Sequence, residues 1–131
     1  MKIRKAKIED LEEIKKIDDI SLKASHSIDY FKRNLRNTIV AVDGKKIIGY
    51  LMFKDQLVMN MAVHPNYRNK GIGKMLVKEA MKKSKRLISR TREDNLNSLE
   101  FFKHLGFKYK RKIEKYYKNG DNAVEIEWKR T

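Results

Sequence analysis

The chain contains no cysteine and only one proline among its 131 residues. The lack of cysteine excludes disulfide bonds, thiolate metal sites and a cysteine nucleophile. Long hydrophobic runs are also missing, since none approaches the roughly 20 residues that span a bilayer. The N-terminal stretch carries acidic residues and no long apolar segment, so neither a secretory signal nor a typical transit peptide is expected. These absences predict a cytoplasmic protein without a membrane segment.

Negative charge is scarce relative to positive charge. Lysine and arginine number 32 against 17 acidic residues, for a formal net charge of +15. Such an excess favours anionic partners such as a phosphorylated cofactor, nucleic acid or the ribosome. The basic residues are spread over the whole chain, which is equally typical of a solvated lysine-rich surface. Hydrophobic residues make up 40% of the chain, which is enough for one domain over residues 1–131.

The most informative stretch is Leu57–Val77. Leu57–Val63 is apolar except for Asn60, which predicts a strand buried on both faces. Pro65 ends this strand, and from Met75 onward the apolar residues recur at helical spacing. The stretch therefore predicts a strand, a turn, a basic loop and a helix that begins inside that loop.

The basic loop between this strand and this helix has the chemistry of an anion site. A helix N-terminus presents unpaired N–H groups and the positive end of a dipole. Gly71 and Gly73 would let an anion approach that backbone, and Arg68, Lys70 and Lys74 add positive charge. The loop predicts a phosphate or pyrophosphate cradle, or alternatively a plain basic turn. It matches neither the Walker loop nor the GxGxxG fingerprint.

The rest of the chain predicts the element order βααβββαβαββ. Apolar residues at 3–4 spacing indicate a first helix whose stripe, Leu11–Ile20, also contains Asp18. A polar loop is expected at Ser25–Asp29, and alternation over Ala123–Trp128 predicts a last strand with one buried face and exposed glutamates. Asn95 precedes a helix that Gly106 ends, as a helix cap and a C′ glycine would.

Two of these stretches resemble the signatures of the GCN5-related N-acetyltransferase (GNAT) family. AVHPNYRNKGIGKML is similar to the acyl-CoA motif with core [QR]-x-x-G-x-[GA], here Arg68, Gly71 and Gly73. Asn95–Phe107 resembles N-x-x-[AS]-x-x-[FL]-Y-x-x-x-G-F. The likeness extends over essentially the whole chain. It implies the α+β fold of the acyl-CoA N-acyltransferases: a mixed, mainly antiparallel sheet of about seven strands with about four helices, splayed between the fourth and fifth strands.

The resemblance implies an acyltransferase that uses acetyl-CoA as co-substrate and no metal. Backbone groups at the end of the fourth strand would hold the pantetheine arm, and the N–H groups of the basic loop would hold the pyrophosphate. Asn95 would contact the pantetheine or, on the plainer interpretation, only cap its helix. The residues implied to contact the cofactor are Met61, Ala62, Val63, Arg68, Asn69, Lys70, Gly71, Ile72, Gly73, Lys74, Asn95 and Phe102.

The catalytic groups depart from the family pattern. Phe102 stands where relatives commonly have the tyrosine assigned as general acid, and a phenyl ring has no proton to donate. Asn60 and Arg90 stand where some relatives carry an acid that acts as base. Tyr117 and Glu114 are the candidates for a catalytic role, and a chain of water molecules is an equal alternative. Tyr116, His64, His104 and Glu100 have suitable chemistry, but the histidines and Glu100 fall where turn and exposed helix positions are expected.

A third resemblance concerns the acceptor. Tyr116 and Tyr117, ten residues after Gly106-Phe107, resemble the branch that includes ribosomal-protein alanine and protein N-terminal acetyltransferases. That likeness implies a peptide held by Tyr116 and Tyr117, with Tyr30 at the border of the acceptor site. The alternatives are a cross-strand aromatic pair and, for Tyr30, a packing residue.

The sequence thus favours acetyl transfer to a primary amine, preferably a protein N-terminus or a lysine, by direct attack in a ternary complex. The first alternative is acetylation of a small-molecule amine. The second is a non-catalytic CoA-binding module, associated with RNA or the ribosome through its basic surface. Either a monomer or a homodimer is compatible with the sequence.

Overall fold

The computed structural model describes residues 1–21 and 26–131. Within these ranges seven strands and four α-helices follow one another in the predicted order βααβββαβαββ. The strands are β1 (Lys2–Lys5), β2 (Thr38–Asp43), β3 (Lys46–Lys54), β4 (Leu57–Val63), β5 (Arg86–Arg92), β6 (Lys108–Ile113) and β7 (Ala123–Lys129). The helices are α1 (Leu11–Ser21), α2 (Ile28–Arg33), α3 (Ile72–Lys82) and α4 (Leu96–His104).

The strands form one mixed sheet in the order β1-β2-β3-β4-β5-β7-β6. Antiparallel ladders join β1 to β2, β2 to β3, β5 to β7 and β6 to β7. A parallel ladder joins β4 to β5 through the pairs Leu57–Ile88 and Val58–Ser89, near the start of β4. This mainly antiparallel, open sheet with its short β4–β5 ladder confirms the predicted fold class.

Contacts between residues divide the chain into two compact units. The first consists of Met1–Lys54 and Met59–Ala80, and the second of Asp55–Val58 and Met81–Thr131. The prediction of one domain over residues 1–131 stays a prediction.

The core of the first unit is an apolar layer between helices and sheet. Side chains of α1, α2, β2 and β3 form one buried cluster that includes Ile14, Phe31 and Tyr50. On α3 the buried side chains are Ile72, Leu76, Val77 and Ala80, the spacing of one helix face. Burying this apolar area is the main free-energy gain that holds the helices on the strands.

Gly49 on β3 lets α3 and β4 come close to that strand. A Cβ atom at this position would lie 3.2 Å from the carbonyl oxygen of Ala62 and 3.3 Å from Cδ1 of Leu76. Both distances are tighter than ordinary van der Waals contact, so only glycine fits without moving a neighbour. The N-terminus of α3 is thereby held close to the end of β4.

The second unit contains a buried carboxylate that the strand pattern did not predict. We expected Glu125 on the exposed face of β7, yet it is 2% exposed. Arg90 and Arg111, from the strands on either side of β7, donate to its two oxygens. These charge-assisted hydrogen bonds make burial of Glu125 tolerable, and they lower its pKa, the bond from Arg111 most of all.

Four local expectations were wrong. In β4, which was expected to be buried on both faces, only Val58 and Ala62 are buried and the other residues are partly exposed. Ile20 is 57% exposed, because the inward position one turn after Ile14 is occupied by Asp18. Met75 is 37% exposed, since Leu76 and Val77 take the buried face of α3. Ile28 and Asp29 belong to α2, which Ser27 caps by accepting from the N–H of Tyr30. Ser25, the first residue of the expected polar loop, lies outside the described residues.

None of the helices in residues 1–21 and 26–131 is long and apolar enough to cross a membrane.

Asp10 joins β1 to the start of α1. Its carboxylate accepts from both guanidinium nitrogens of Arg4, at 2.7 and 3.1 Å, and from the backbone N–H of Lys7 at 2.7 Å. These bonds, chiefly that from Arg4, hold the pKa of Asp10 below its ordinary value despite burial. The carboxylate therefore stabilises the fold when it is ionised, and this contribution is lost as the pH falls through the folded-state pKa.

We expect Asp10→Asn to lower the free energy of unfolding at pH 7 by about 1–3 kcal/mol, the range for hydrogen bonds to charged groups. Below about pH 4, the unfolded pKa of aspartate, this contribution begins to be lost in the wild type, so the difference between the two proteins narrows and disappears below the folded-state pKa. Urea denaturation at pH 7 and pH 3 measures both effects. Asp19→Asn, on the helix that follows Asp10, is the matched control, because the ion pair of Asp19 with Lys15 is half-exposed and its loss should change stability by less than about 0.5 kcal/mol. Equal losses for the two variants would contradict this interpretation.

Candidate active site

The end of β4 is fixed by its own turn. His64 accepts from the N–H of Asn66 at 3.1 Å through its ring, and Pro65–Tyr67 forms a single 3-10 turn. Arg68 donates from Nε to the carbonyl of Val63 at 3.3 Å. The guanidinium therefore satisfies the last carbonyl of the strand while its charge stays at the loop.

The backbone of the loop takes a left-handed path before α3 begins. Asn69 has φ of +62° and Gly71 φ of +82°, a region that suits glycine and, among other residues, asparagine. The first helical bond runs from Met75 N–H to Gly71 C=O at 3.0 Å. The N–H groups of Ile72, Gly73 and Lys74 precede that bond and have no acceptor within the helix. A Cβ atom on Gly71 would meet nothing within 4 Å, so the space beside Gly71 is open.

The charge around this helix end is positive. Arg68, Lys70 and Lys74 are exposed, whereas the first turn of α3, which lies within the described chain, holds no acidic residue. The Nζ atoms of Lys46 and Lys70 lie 5.5 and 5.6 Å from the ring centroid of Tyr67, at cation–π distance. A helix N-terminus and exposed cations have the chemistry of an anion site, and the cofactor contacts predicted for this loop stay predictions.

Asn60, the one polar residue of β4, is part of a side-chain network in the first unit. Its Oδ1 accepts from the hydroxyl of Tyr30 at 3.2 Å, and its Nδ2 lies 3.1 and 3.3 Å from the two ring nitrogens of His26. Tyr30 stacks on His26 with ring centroids 4.6 Å apart. Burial raises the pKa of Tyr30, so its hydroxyl remains a donor at neutral pH.

Sequence reasoning missed the centre of this network, Asp18 and His26. Asp18 is fully buried, and its carboxylate accepts from the Tyr50 hydroxyl at 2.9 Å and the His26 N–H at 2.7 Å. The signal was present in two polar interruptions of apolar patterns, Asp18 in the stripe of α1 and Asn60 in β4. Asp18 and Asn60 both contact His26, which lies 34 residues from Asn60 in the sequence, and residue spacing alone could not predict these contacts.

In the second unit, Asn95 caps α4. Its Oδ1 accepts from the N–H of Ser98 at 3.1 Å, as the plainer interpretation required, while Nδ2 is a donor on an exposed side chain. Phe102 is 4% exposed, and its ring makes edge contacts at 5.0 Å with Phe101 and with Phe107. The ligand roles predicted for Asn95 and Phe102 stay predictions.

The two adjacent tyrosines lie beside arginines of β5. The guanidinium of Arg92 stacks 4.0 Å from the ring centroid of Tyr117, and Arg90 donates to the hydroxyl of Tyr116 at 3.5 Å. Their own rings meet edge-on at 5.0 Å. Burial raises the pKa of Tyr117 above its ordinary value, which keeps the hydroxyl protonated at neutral pH and favours a hydrogen-bonding role over that of a base.

The other carboxylates and histidines that the sequence offered for a catalytic role lie in different surroundings. Glu114 is exposed at the turn after β6. Glu100 and His104 are 63% and 75% exposed and face each other at 3.7 Å along α4. Arg90 is held by Glu125, the buried carboxylate that the sequence pattern had placed on the surface.

Comparison with known proteins identifies the family to which this architecture belongs. A model of the acetyltransferase (GNAT) family matches residues 5–107. The N-alpha-acetyltransferase of Sulfurisphaera tokodaii is 27% identical over 149 aligned positions, which cover 93% of this chain and 89% of the relative.

Two solved structures share the fold at low sequence identity. The ribosomal-protein-S18-alanine N-acetyltransferase of Escherichia coli superposes with a TM-score of 0.87 at 18% identity, covering 98% of this chain and 92% of the other. Arabidopsis thaliana NAA60, solved in complex with acetyl-CoA, gives a TM-score of 0.88 at 15% identity and covers 98% of both chains.

The mixed sheet and the basic strand–turn–helix loop define a class of N-acyltransferase. The chain belongs to the acetyltransferase (GNAT) family, and it is accordingly an acyltransferase. The resemblance predicted from its two signature stretches is confirmed, and its relatives include proteins named N-alpha-acetyltransferase.

Proposed function

We propose that this protein transfers the acetyl group of acetyl-CoA to a primary amine of a protein or peptide, an N-terminal α-amine or a lysine, in the cytoplasm. The observation that carries the proposal is the N-terminus of α3, where open space at Gly71 and three exposed cations meet a first helical turn that, in the described chain, holds no acidic residue. The names of the relatives and of the structural neighbours support the acceptor class.

The loop fits the pyrophosphate of the co-substrate. The N–H groups of Ile72, Gly73 and Lys74 point out of the helix end, and the open space at Gly71 leaves room for phosphate oxygens to approach the backbone. Arg68, held at Val63, supplies charge close to the strand end. The backbone of Met61–Val63 would bind the pantetheine amides as an added strand does.

The reaction proposed here is direct aminolysis of the thioester. A neutral amine attacks the carbonyl carbon, the C–N bond forms, and the C–S bond breaks as the tetrahedral species collapses. The thiolate is a tolerable leaving group, since a thiol has a pKa of about 8.5. Positioning and backbone N–H donors then supply most of the rate enhancement.

The acceptor is proposed to be a peptide without many positive charges. The chain itself carries a net charge of +15, and like charges repel at an entrance. Tyr116 and Tyr117 present hydroxyl groups that can hydrogen-bond an extended peptide. The partner arginines Arg90 and Arg92 hold these rings in place.

A thiol-release assay with acetyl-CoA tests the proposed activity. The acceptors are peptides with a free α-amine, the same peptides with a blocked N-terminus and one lysine, and a polyamine. We expect acceptor-dependent CoA release with one of the two peptide classes and the mass of an acetyl group added to that peptide. Turnover with the polyamine alone would replace the proposal by small-molecule acetylation, and CoA binding without turnover on any acceptor would replace it by the binding-module alternative. Light scattering of the same sample determines whether the protein is a monomer or a homodimer.

Gly71→Ala tests the cofactor loop. We expect at least a tenfold weaker affinity for acetyl-CoA, equal to about 1.4 kcal/mol, because a methyl group occupies the approach to the amides. The positive φ also costs about 1–2 kcal/mol of stability. Gly44→Ala is the matched control, since Gly44 has φ of +63° and equally open surroundings in the β2–β3 hairpin. Calorimetric titration should show unchanged affinity for Gly44→Ala, and an equal loss in both variants would overturn the assignment of the loop.

Phe102→Tyr tests whether the missing acid limits turnover. We expect kcat to rise about tenfold, less than the usual 10²–10⁴-fold effect of a general acid because solvent already protonates the thiolate. Phe101→Tyr, which adds the same hydroxyl one residue earlier on α4, should leave kcat unchanged. Steady-state kinetics and melting temperatures of both variants measure this. An unchanged kcat in a folded Phe102→Tyr protein would show that loss of thiolate needs no acid at this position.

A further inference from the structure

The first unit buries a carboxylate against a histidine, an arrangement that the mechanism above does not use. Asp18 on α1 has no exposed surface. Both of its oxygens lie 3.3 Å from Nδ1 of His26, and the backbone N–H of His26 donates to Oδ2 at 2.7 Å. An unpaired charge at such a site is costly, so a partner that can become positive is favoured there.

The hydrogen bonds around His26 determine its preferred tautomer. The Tyr30 hydroxyl donates to Oδ1 of Asn60, which directs the NH₂ end of the amide, a donor only, at the imidazole. On the other side of the ring, Asp18 is a hydrogen-bond acceptor, and it also accepts from the hydroxyl of Tyr50. Burial, and after it the interaction with Asp18, raises the pKa of that hydroxyl. Nδ2 of Asn60 lies 3.1 Å from Nδ1 and 3.3 Å from Nε2, and being nearly equidistant it lies along the lone-pair axis of neither nitrogen. A hydrogen on Nδ1 directed at the Asp18 oxygens then leaves a lone pair on Nε2.

His26 lies beside the strand proposed to hold the acyl donor. Asn60 immediately precedes Met61–Val63 in β4, and Ser21 at the end of α1 reaches the carbonyl of Val63 at 3.5 Å. The side chain of His26 is 32% exposed, unlike the closed carboxylate behind it. The imidazole is therefore partly open to solvent beside β4, whereas the Asp18 carboxylate is closed off.

We propose that His26 is the general base that removes the proton from the acceptor amine, and that Asp18 and Asn60 are its positioning residues. This inference rests on the proposed acetyl transfer. The ammonium group of the acceptor gives one proton to Nε2 of His26 and becomes a neutral amine. The resulting imidazolium is balanced by the buried Asp18 carboxylate, as in other histidine–carboxylate pairs. After attack the second proton leaves the nitrogen for the departing sulfur, and His26 returns its proton to solvent.

The competing explanation is structural. Asp18 would then only fasten the segment before α2 to α1, and the imidazole would serve as one more hydrogen-bonding group. The two explanations predict different activities for a variant that lacks the imidazole of His26 but keeps the fold and the cofactor site.

The decisive variant is His26→Gln. The matched control is His104→Gln, because His104 is an exposed histidine on α4. We expect kcat/KM for a peptide acceptor to fall about 100-fold at pH 7, within the range for general-base catalysis. The loss should shrink at pH 9.5, because an α-amine with a pKa of about 7.7–8.0 is then already neutral. The dissociation constant for acetyl-CoA and the melting temperature should stay near the wild-type values, and His104→Gln should match the wild type throughout.

A second variant separates catalysis from structure. In His26→Ala, added imidazole should restore activity in proportion to its concentration, because a free base can occupy the vacated space. Asp18→Asn should lower kcat more than it changes KM, and imidazole should not rescue it.

The outcomes distinguish this inference from the function on which it rests. Wild-type protein that releases no CoA with any peptide acceptor would defeat the proposed function itself. An active wild type with a His26→Gln variant that keeps more than half its activity at pH 7, or loses the same factor at pH 7 and pH 9.5, would overturn the assignment of His26 alone. Failure of imidazole to rescue a folded His26→Ala protein would also overturn it.

Discussion

The close packing of α3 against β3 and β4 at Gly49 is the constraint on which the basic loop Arg68–Lys74 depends. Because no side chain separates these elements, the carbonyl of Ala62 and the side chain of Leu76 pack directly onto β3. The chain must then leave β4 at Val63 and enter α3 at Ile72 within a short turn, and it does so through a 3-10 turn and two left-handed residues. The result is a helix N-terminus fixed next to the end of a strand, with open space beside Gly71.

Two buried carboxylates illustrate how the choice of partner determines what a buried charge can do. Glu125 is held between two arginines, which stay charged at any pH that a protein tolerates, so this cluster can only fix the strands and their neighbouring tyrosines. Asp18 is held by His26, whose imidazole, unlike a guanidinium, can both donate and accept a hydrogen bond. A buried carboxylate thus gives a rigid support in one place and, as proposed above, the partner of a general base in the other.

Local patterns predicted much of the fold. Leu57–Val63 was predicted with the bounds that β4 has, and the order of strands and helices agrees throughout. These features depend on periodicity and on turn residues, which act over a few positions. Errors arose where a side chain's surroundings come from remote segments. Glu125 stands at an exposed position in the alternating pattern of β7, but arginines of the two neighbouring strands enclose it. The local pattern contains no information about those arginines.

The sequence by itself determined the family, the element order and the composition of the loop Arg68–Lys74, because these depend on residue types at fixed short spacing. Only the tertiary structure decided which polar groups meet. Asp18, His26, Tyr30, Tyr50 and Asn60 come from four elements and the segment before α2, and their contact follows from how helices pack on the sheet. Packing brings together residues far apart in the chain, so the pairing of a carboxylate with an imidazole emerged only from the folded molecule.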